Sequence, residues 1–558
     1  MSERESMTAL SLSAAVPPRQ ASSRWRNFFH LFGSFFQIAQ PTSLDLPFTI
    51  EEIARFHHLV RQNSGNCLDD QTWKDLELGD YLDSLSSELS IFGQQSLYHR
   101  LRAGADSETL TSSRARMTLL ANDSTLLVRL CAACRPLRET ATEISSVLFG
   151  ETVEQTPGWS KLAQALPFFT VAALAFCFVT PYAWFAAALG FILPVVAQLE
   201  MHEKIEHWKY TSAALQKLLV TSEALASIPK NDGALRLQSF TEGRERMTRL
   251  YRSIAPPPYL NMPLVSAYAN WIFLSNVRHY FNAQKQLKLH STFLQQCFIE
   301  AGRLEADIAL VRHLNNLTIQ QQFCWAKKGE AGSLELTDVV NPLLPGAARI
   351  SVKLQAKGIF LSGQNGAGKS TLLRTVGLNL ASARAFGFCY TSHAELPVSD
   401  IQTSIQIEDS LAAGESLYMA ELRRARELLA YAQGPAPCIL IIDEIFRGTN
   451  HMEGVSAAAA VLHTLAKHSL LIVSSHNLVL APLLSDSLLP YHIKRAHGHE
   501  NDALQLSLTP GVLSSTNGIA MLSSSDFGPD IPDIANRIYS WLNTCIGDPA
   551  QATVPPKL

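Results

Sequence analysis

The stretch GIFLSGQNGAGKSTLLRTVGLNL, residues 358–380, restricts the fold more than any other part of the chain. Gly363, four intervening residues, then Gly368, Lys369 and Ser370 give the spacing of a phosphate-binding loop. An apolar strand, Gly358 to Ser362, precedes the loop, and a helix running to about Leu380 is expected after it; that setting turns a short pattern into a site. Glycines let the backbone curl so that several N–H groups face one point, where a helix N-terminus adds partial positive charge. The expected ligand is a nucleoside triphosphate, with Lys369 reaching its β and γ phosphates and the Ser370 hydroxyl on Mg2+.

From about residue 333 to 540, short β-rich runs alternate with helical ones: ISVKL, GIFLSG, CILIID and LLIVSSH. Apolar strands with helices between them predict an α/β domain built on a buried, mostly parallel sheet. Its chemistry belongs at the strand C-terminal ends. CILIIDE ends in Asp443, expected in the magnesium shell, and Glu444, expected to polarise the attacking water. LLIVSSH ends in His476, placed at the same edge and within reach of a γ-phosphate. In DSLAAGESLYMAELRR, Gly414 and Ser416 stand ahead of an apolar-periodic helix; spacing alone leaves Ser416 open between helix cap and phosphate ligand.

Upstream, residues 48–330 carry apolar positions at three- and four-residue spacing and predict an all-helical domain. Within it, the 38 residues from 162 to 199 contain no Asp, Glu, Lys or Arg. Pro181 and Tyr182 divide this run into two stretches, each near the roughly 20 residues that cross a bilayer, so the expectation is a transmembrane helical hairpin. Tyr182 and Trp184 near the turn, with Trp159 and Trp208 outside the ends, fit aromatic belts. The competing expectation is a pair of buried core helices. Use of ATP would put both hairpin ends on the cytoplasmic face of the cell (inner) membrane; a buried hairpin would make the protein cytoplasmic. Residues 1–47, rich in Ser, Ala and Pro near their start, read as a partly disordered leader, and 541–558 as a disordered tail. Five phenylalanines beside Arg24 and Arg26 in this leader suit a helix packed on the body of the protein or lying at a membrane interface.

Lys plus Arg (46) nearly balance Asp plus Glu (49), which excludes a surface that is basic throughout but leaves room for a local DNA-binding patch. The nine cysteines are expected to be free thiols, and Cys131 and Cys134, at i and i+3, to be helix-packing residues.

Four segments, GQNGAGKSTLLR, DSLAAGESLYMAEL, IIDEIFRGTN and SSHNL, together and in this order resemble the MutS family of DNA mismatch repair ATPases, a branch of the ABC-type ATPases. NPLLP at 341–345, LTPGVLSSTNGIAML with Gly518, and TWKDLELGDYLDSLSSELSIFGQQSLYHRL are also similar, so the resemblance spans about 68–540. It implies a helical core and lever region ahead of the ATPase domain, and ATP with Mg2+ held by Gly363, Asn365, Gly366, Gly368, Lys369, Ser370 and Thr371. It also implies a homodimer in which Ser416 completes the partner's site in trans, with Arg447, Thr449 and Asn450 at the same interface. DNA, mismatched or branched, is the implied partner. Family members that read mismatches carry a Phe-x-Glu wedge in a separate N-terminal domain; here such triplets occur at Phe240 and Phe298, in helical stretches, and at Phe149. The hairpin is similar to that of a MutS-like subgroup with membrane segments. The combined expectation is a membrane-anchored, dimeric, ATP-hydrolysing switch acting on DNA; the alternative is a membrane-anchored signalling or interaction ATPase without mismatch recognition. A transporter ATPase fits worst, since one hairpin is too little for a translocation path.

Overall fold

The computed structural model describes residues 48–61, 67–150, 159–228, 240, 243–317, 322–344, 346, 348–364, 366–408, 416–435, 437–496, 505–513, 519 and 530–547. The expected leader, Asn365, Gly414 and Gly518 lie outside them. In chain order the helices are α1 Ile50–Val60, α2 Asp70–Asp75, α3 Leu78–Leu85, α4 Ile91–Ala103, α5 Ser107–Asn122, α6 Ser124–Arg138, α7 Ser145–Phe149, α8 Trp159–Phe176, α9 Ala183–Ala226, α10 Arg244–Ile254, α11 Pro263–Phe273, α12 Ser275–Leu289 and α13 Ser291–Asn315. After the first strands come α14 Lys369–Phe386, α15 Leu417–Ala432, α16 His451–Ala466, α17 Leu480–Leu483 and α18 Asp530–Gly547.

The helical region is all helix among its described residues. It splits between two compact units: one holds 153–213 and 249–289, and the other holds 44–152, 214–248 and everything from 290 onward. In the first unit α8 and α9 form the hairpin, broken at 177–182 where Pro181 and Tyr182 stand. The two arms touch where the Thr170 hydroxyl donates to the Gly190 carbonyl (3.2 Å). On the arms and turn of the hairpin Phe168, Phe178, Phe185, Leu189 and Ile192 are exposed, Phe178 to 95%. Among the described residues one helix, α9, is long and apolar enough to cross a membrane by length and composition.

In the second unit α1, α4, α7 and α13 meet around Phe56, Phe92, Phe149 and Phe298, with ring centroids 5.2–5.4 Å apart. Beside this cluster the buried Asp307 carboxylate accepts from Arg100 (2.7 Å) and Ser113 (2.6 Å), tying α13 to α4 and α5. Cys134 is buried on α6, as helix packing requires, and the described cysteines are free thiols.

The strands form two main sheets. A six-stranded sheet has the order β12-β11-β5-β10-β9-β8, with β5 Gly358–Ser362, β8 Asp400–Ser404, β9 Cys438–Asp443, β10 Leu470–Ser474, β11 Leu488–Ala496 and β12 Gln505–Pro510. All neighbours are parallel except β11 with β12. Its central strands β5 and β10 are buried along their whole length, as continuous apolar runs between helices demand. ISVKL does not join it. That segment, in β4 Ile350–Gln355, alternates buried and exposed residues and pairs antiparallel with β3 Ser333–Val339 in a separate four-stranded sheet completed by β7 His393–Leu396 and β2 Lys327–Lys328. Period-two burial marks a sheet with one face in water. A short pair, β1 Cys324–Trp325 with β6 Phe388–Cys389, stands apart. Two boundaries also shift: α14 runs past Leu380 to Phe386, and α18 continues through 541–547 where a tail was expected.

The α1–α4 contact buries a second pair of rings: His57 Nδ1 lies 3.2 Å from His99 Nδ1. Burial, with the neighbouring charges, pushes the His57 pKa down to about 3 and that of His99 to about 4. Both are neutral in the folded chain, whereas unfolded histidine takes up a proton below about pH 6.5. Between pH 6.5 and about 4 the unfolded state therefore binds more protons, and acidification costs stability. Urea midpoints of this unit are expected to fall across that window and to fall less steeply in His99→Gln; equal slopes would show that the pair does not titrate as described.

Candidate functional site

Strand order brings the separated motifs together. Because β5, β10 and β9 are adjacent and parallel, with Leu361 paired to Ser474 and Ser474 to Asp443, their C-terminal ends form one edge. The loop after β5 passes through Gly366 (φ 72°) and Gly368 (φ 92°), left-handed conformations that a side chain would strain, and enters α14 at Lys369. Gly363 opens the loop, and Thr371 is exposed on the first turn of α14. Lys369 curls back over the loop, its Nζ donating to the carbonyls of Gly363 (2.9 Å) and Gln364 (3.3 Å). Desolvation lowers its pKa, opposed by the Asp443 charge.

The Asp443 carboxylate accepts from the hydroxyls of both Ser370 and Ser474. This oxygen-only set suits Mg2+, which takes one or two carboxylates and leaves the rest of its shell to phosphates and water. Among the described residues no three His, Cys, Asp or Glu side chains converge into a self-sufficient metal site. The residues present therefore fit an ion delivered with a nucleotide.

Glu444 follows with φ 49°, its N–H donating to the Ser474 carbonyl (3.0 Å). That turn swings its side chain to His476, whose Nε2 lies 2.5 Å from Glu444 Oε1, while His476 Nδ1 is 3.5 Å from Lys369 Nζ. Burial and the Lys369 ammonium lower the His476 pKa, so at neutral pH the ring is uncharged. The contact with Glu444 is then a hydrogen bond from a neutral imidazole, with Nδ1 left to accept from the lysine. Lys369, Glu444 and His476 are thus joined in one chain.

Ser416 lies elsewhere on the same protomer. It is exposed and precedes α15, but its hydroxyl makes no capping bond. The residues before it, 409–415, are outside those described.

Two contributors were not anticipated. Ser474 is legible only afterwards, as the first of two serines ahead of His476. Glu421, buried on α15 with its side chain 1% exposed, accepts from the backbone N–H groups of Arg447 and Gly448 (both 3.1 Å). A Cβ on Gly448 would lie 2.7 Å from the Tyr418 nitrogen, so only glycine permits this approach. Arg447 also reaches Glu444 (3.7 Å). The helix begun by Ser416 and the loop carrying Arg447, Thr449 and Asn450 are therefore one body; Asn450 caps α16 through the Glu453 N–H (3.0 Å).

A family profile described as MutS domain V matches residues 359–543. Over these residues the chain is similar to the MutS family. Among the relatives it matches are proteins called DNA mismatch repair protein MutS: from Thermus thermophilus, 25% identical over 43% of this chain and 30% of the relative; from Leptospira interrogans, 34% identical over 30% and 21%; and from Methanosarcina mazei, 30% identical over 46% and 29%. The chain thus spans less than a third of the length of these relatives. The matched region contains the phosphate-binding loop, Ser416, Asp443, Glu444 and His476.

Glu421→Ala would leave two backbone donors at the Arg447 loop without their acceptor, at a cost of about 1–3 kcal/mol each if they stay dry. A lower urea midpoint is expected, with nucleotide affinity retained because the phosphate-binding loop is untouched. An unchanged midpoint would mean that water replaces the carboxylate and the loop is not held by α15.

Proposed function

We propose that the chain is a MutS-type ATPase that closes into a homodimer around ATP and uses the closure to change its grip on DNA. What carries this reading is the convergence of Ser370, Asp443, Glu444, His476 and Lys369 at one sheet edge, together with an exposed Ser416 hydroxyl that makes no cap. The backbone of 363–370 and Lys369 would hold the phosphates, with Asn365 and Thr371 beside them. Ser370 and Asp443 would hold Mg2+, whose charge neutralises the phosphate oxygens when bound. Glu444, oriented by His476 and Arg447, is placed to accept a proton from water, with His476 as its link to Lys369. Ser416 of one protomer would meet the γ-phosphate held by the other, so neither protomer has a complete site alone. Stronger binding of ATP to the closed pair drives the switch, for which a coupling of about 1–3 kcal/mol is enough.

The exposed apolar hairpin supports insertion into a bilayer, with both ends and the ATPase domain on the cytoplasmic face of the inner membrane. A second reading, a membrane-bound signalling or interaction switch that does not read mismatches, is supported by the near balance of 46 basic and 49 acidic residues.

Composite sites make a specific demand. Lys369→Ala and Ser416→Ala should each abolish ATP turnover, the first with loss of nucleotide binding and the second without. Mixed together they should recover about a quarter of wild-type turnover, because random pairing rebuilds one intact site in half of the dimers. No recovery on mixing would sink the trans role of Ser416. Turnover should also rise with mismatched or branched DNA over homoduplex; indifference to all three would favour the second reading.

A further inference from the structure

The hairpin is not the whole apolar surface of its unit. Between Glu245 and Glu300 the 54 residues 246–299 contain no acidic side chain and six Lys or Arg, and the 25 residues 253–277 at their centre have no charge at all. This central run holds a turn of 3-10 helix, Pro258–Asn261, and α11. Leu264, Val265 and Tyr268, at i, i+1 and i+4, share a face and are exposed, Leu264 to 66%. Tyr259, Met262 and Phe273 extend the exposed apolar surface at either end. The helix belongs to the hairpin's own compact unit and is joined to α9 by a hydrogen bond from the Gln198 amide to the Asn270 carbonyl.

At 11 residues α11 is about 16 Å long, roughly half the hydrocarbon thickness of a bilayer, so it cannot span. Basic residues at both ends of the charge-free run, Arg252 and Arg278, are exposed. An apolar face of half-span length, tyrosines at its surface and flanking arginines without acidic neighbours in sequence match the interface of a membrane with anionic headgroups. DNA would leave the Leu264–Val265–Tyr268 face unused, since phosphates are bound by cations and polar groups.

We propose that Pro258–Phe273 is a third membrane element, embedded in the headgroup and upper acyl region of one leaflet beside the hairpin, with Arg252 and Arg278 on anionic lipid. This rests on the reading that the hairpin is inserted. The hairpin fixes the protein to the bilayer; this element fixes the depth and tilt of the unit.

The test uses the full chain reconstituted in vesicles of phosphatidylcholine and phosphatidylglycerol, with the photocrosslinker p-benzoylphenylalanine replacing one residue at a time. The positions are Leu264 and Tyr268 on α11, Phe185 on the hairpin, and Val398, exposed to 73% on the other unit. Retained ATP turnover checks folding. After irradiation, lipid adducts seen by mass spectrometry are expected at 264, 268 and 185 and absent at 398. Adducts at 185 alone would overturn this proposal and leave the inserted hairpin standing. Adducts at none of the three would overturn the hairpin reading as well. Crosslinks from 264 or 268 to a second protomer, or to duplex DNA added to the vesicles, in place of lipid would overturn it in favour of a macromolecular interface.

Discussion

The carboxylate of Asp75 is the junction on which the unit bearing the Gly363–Ser370 loop depends. It is buried at the end of α2 and accepts from the Thr403 hydroxyl (2.7 Å), the backbone N–H groups of Ile405 (2.8 Å) and Gln406 (3.0 Å), and the Gln71 amide (2.8 Å). The carbonyl of the same residue accepts from Arg374 on α14 (3.1 Å). One side chain from the helical region thus saturates the backbone where β8 leaves the sheet towards Ser416, and its main chain anchors the helix that begins at Lys369. Nearby, Asp69 pairs with the buried Arg424 on α15 (2.6 Å). A buried carboxylate is tolerated when several donors satisfy it, and losing it would strand all of them together. The helical region therefore holds both the phosphate-binding helix and the helix begun by Ser416.

This arrangement gives the nucleotide site a physical route outward. The proposed closure on ATP would need the loop after β5, the Asp443–Glu444 turn and the start of α15 to keep their mutual positions, and each is fixed by a different bond. Strand register fixes the first two. Glu421 fixes α15 to the Arg447 loop, Asp69 at the start of α2 holds α15 through Arg424, and Asp75 at its end holds α14 through Arg374. A displacement of α15 is thereby felt at Glu444, through Arg447, and at α2, through Arg424. Coupling between sites requires such an element with two arrangements, and a rigid α15 body is the candidate here.

The parts of the site that were legible in the sequence are those that a short contiguous segment dictates. The loop from Gly363 to Ser370, Asp443 with Glu444, and His476 each sit at the end of an apolar run, and a parallel sheet aligns such ends whatever lies between them. What escaped was long-range or non-periodic. Asp75 lies 328 residues from Thr403, and nothing in a helical pattern announces a partner that distant. Glu421 reads as one more charge on an amphipathic helix until its burial is known. ISVKL was assigned to the parallel sheet because its three apolar residues outweighed the alternation of Ser351 and Lys353 between them. The two-unit division was hidden because helical periodicity says which face is apolar, not what that face meets.

The hairpin shows the same limit from the other side. A helix apolar all round packs equally well into a protein core or into lipid, so composition alone leaves the choice open. Contacts break the symmetry: an interior helix finds side chains on every side, whereas Phe178, Phe185 and Ile192 find none that cover them. Exposed apolar surface on this scale is costly in water, at about 25 cal/mol per Å2, and contiguous patches of that kind mark surfaces that are covered in use. The unit carrying the hairpin also carries residues 249–289, the greater part of the stretch without an acidic side chain, so apolar area and sign of charge set this unit apart together. The remainder of the chain is acidic enough to bring the total to −3, so the acid-free stretch and the rest of the sequence differ in sign of charge.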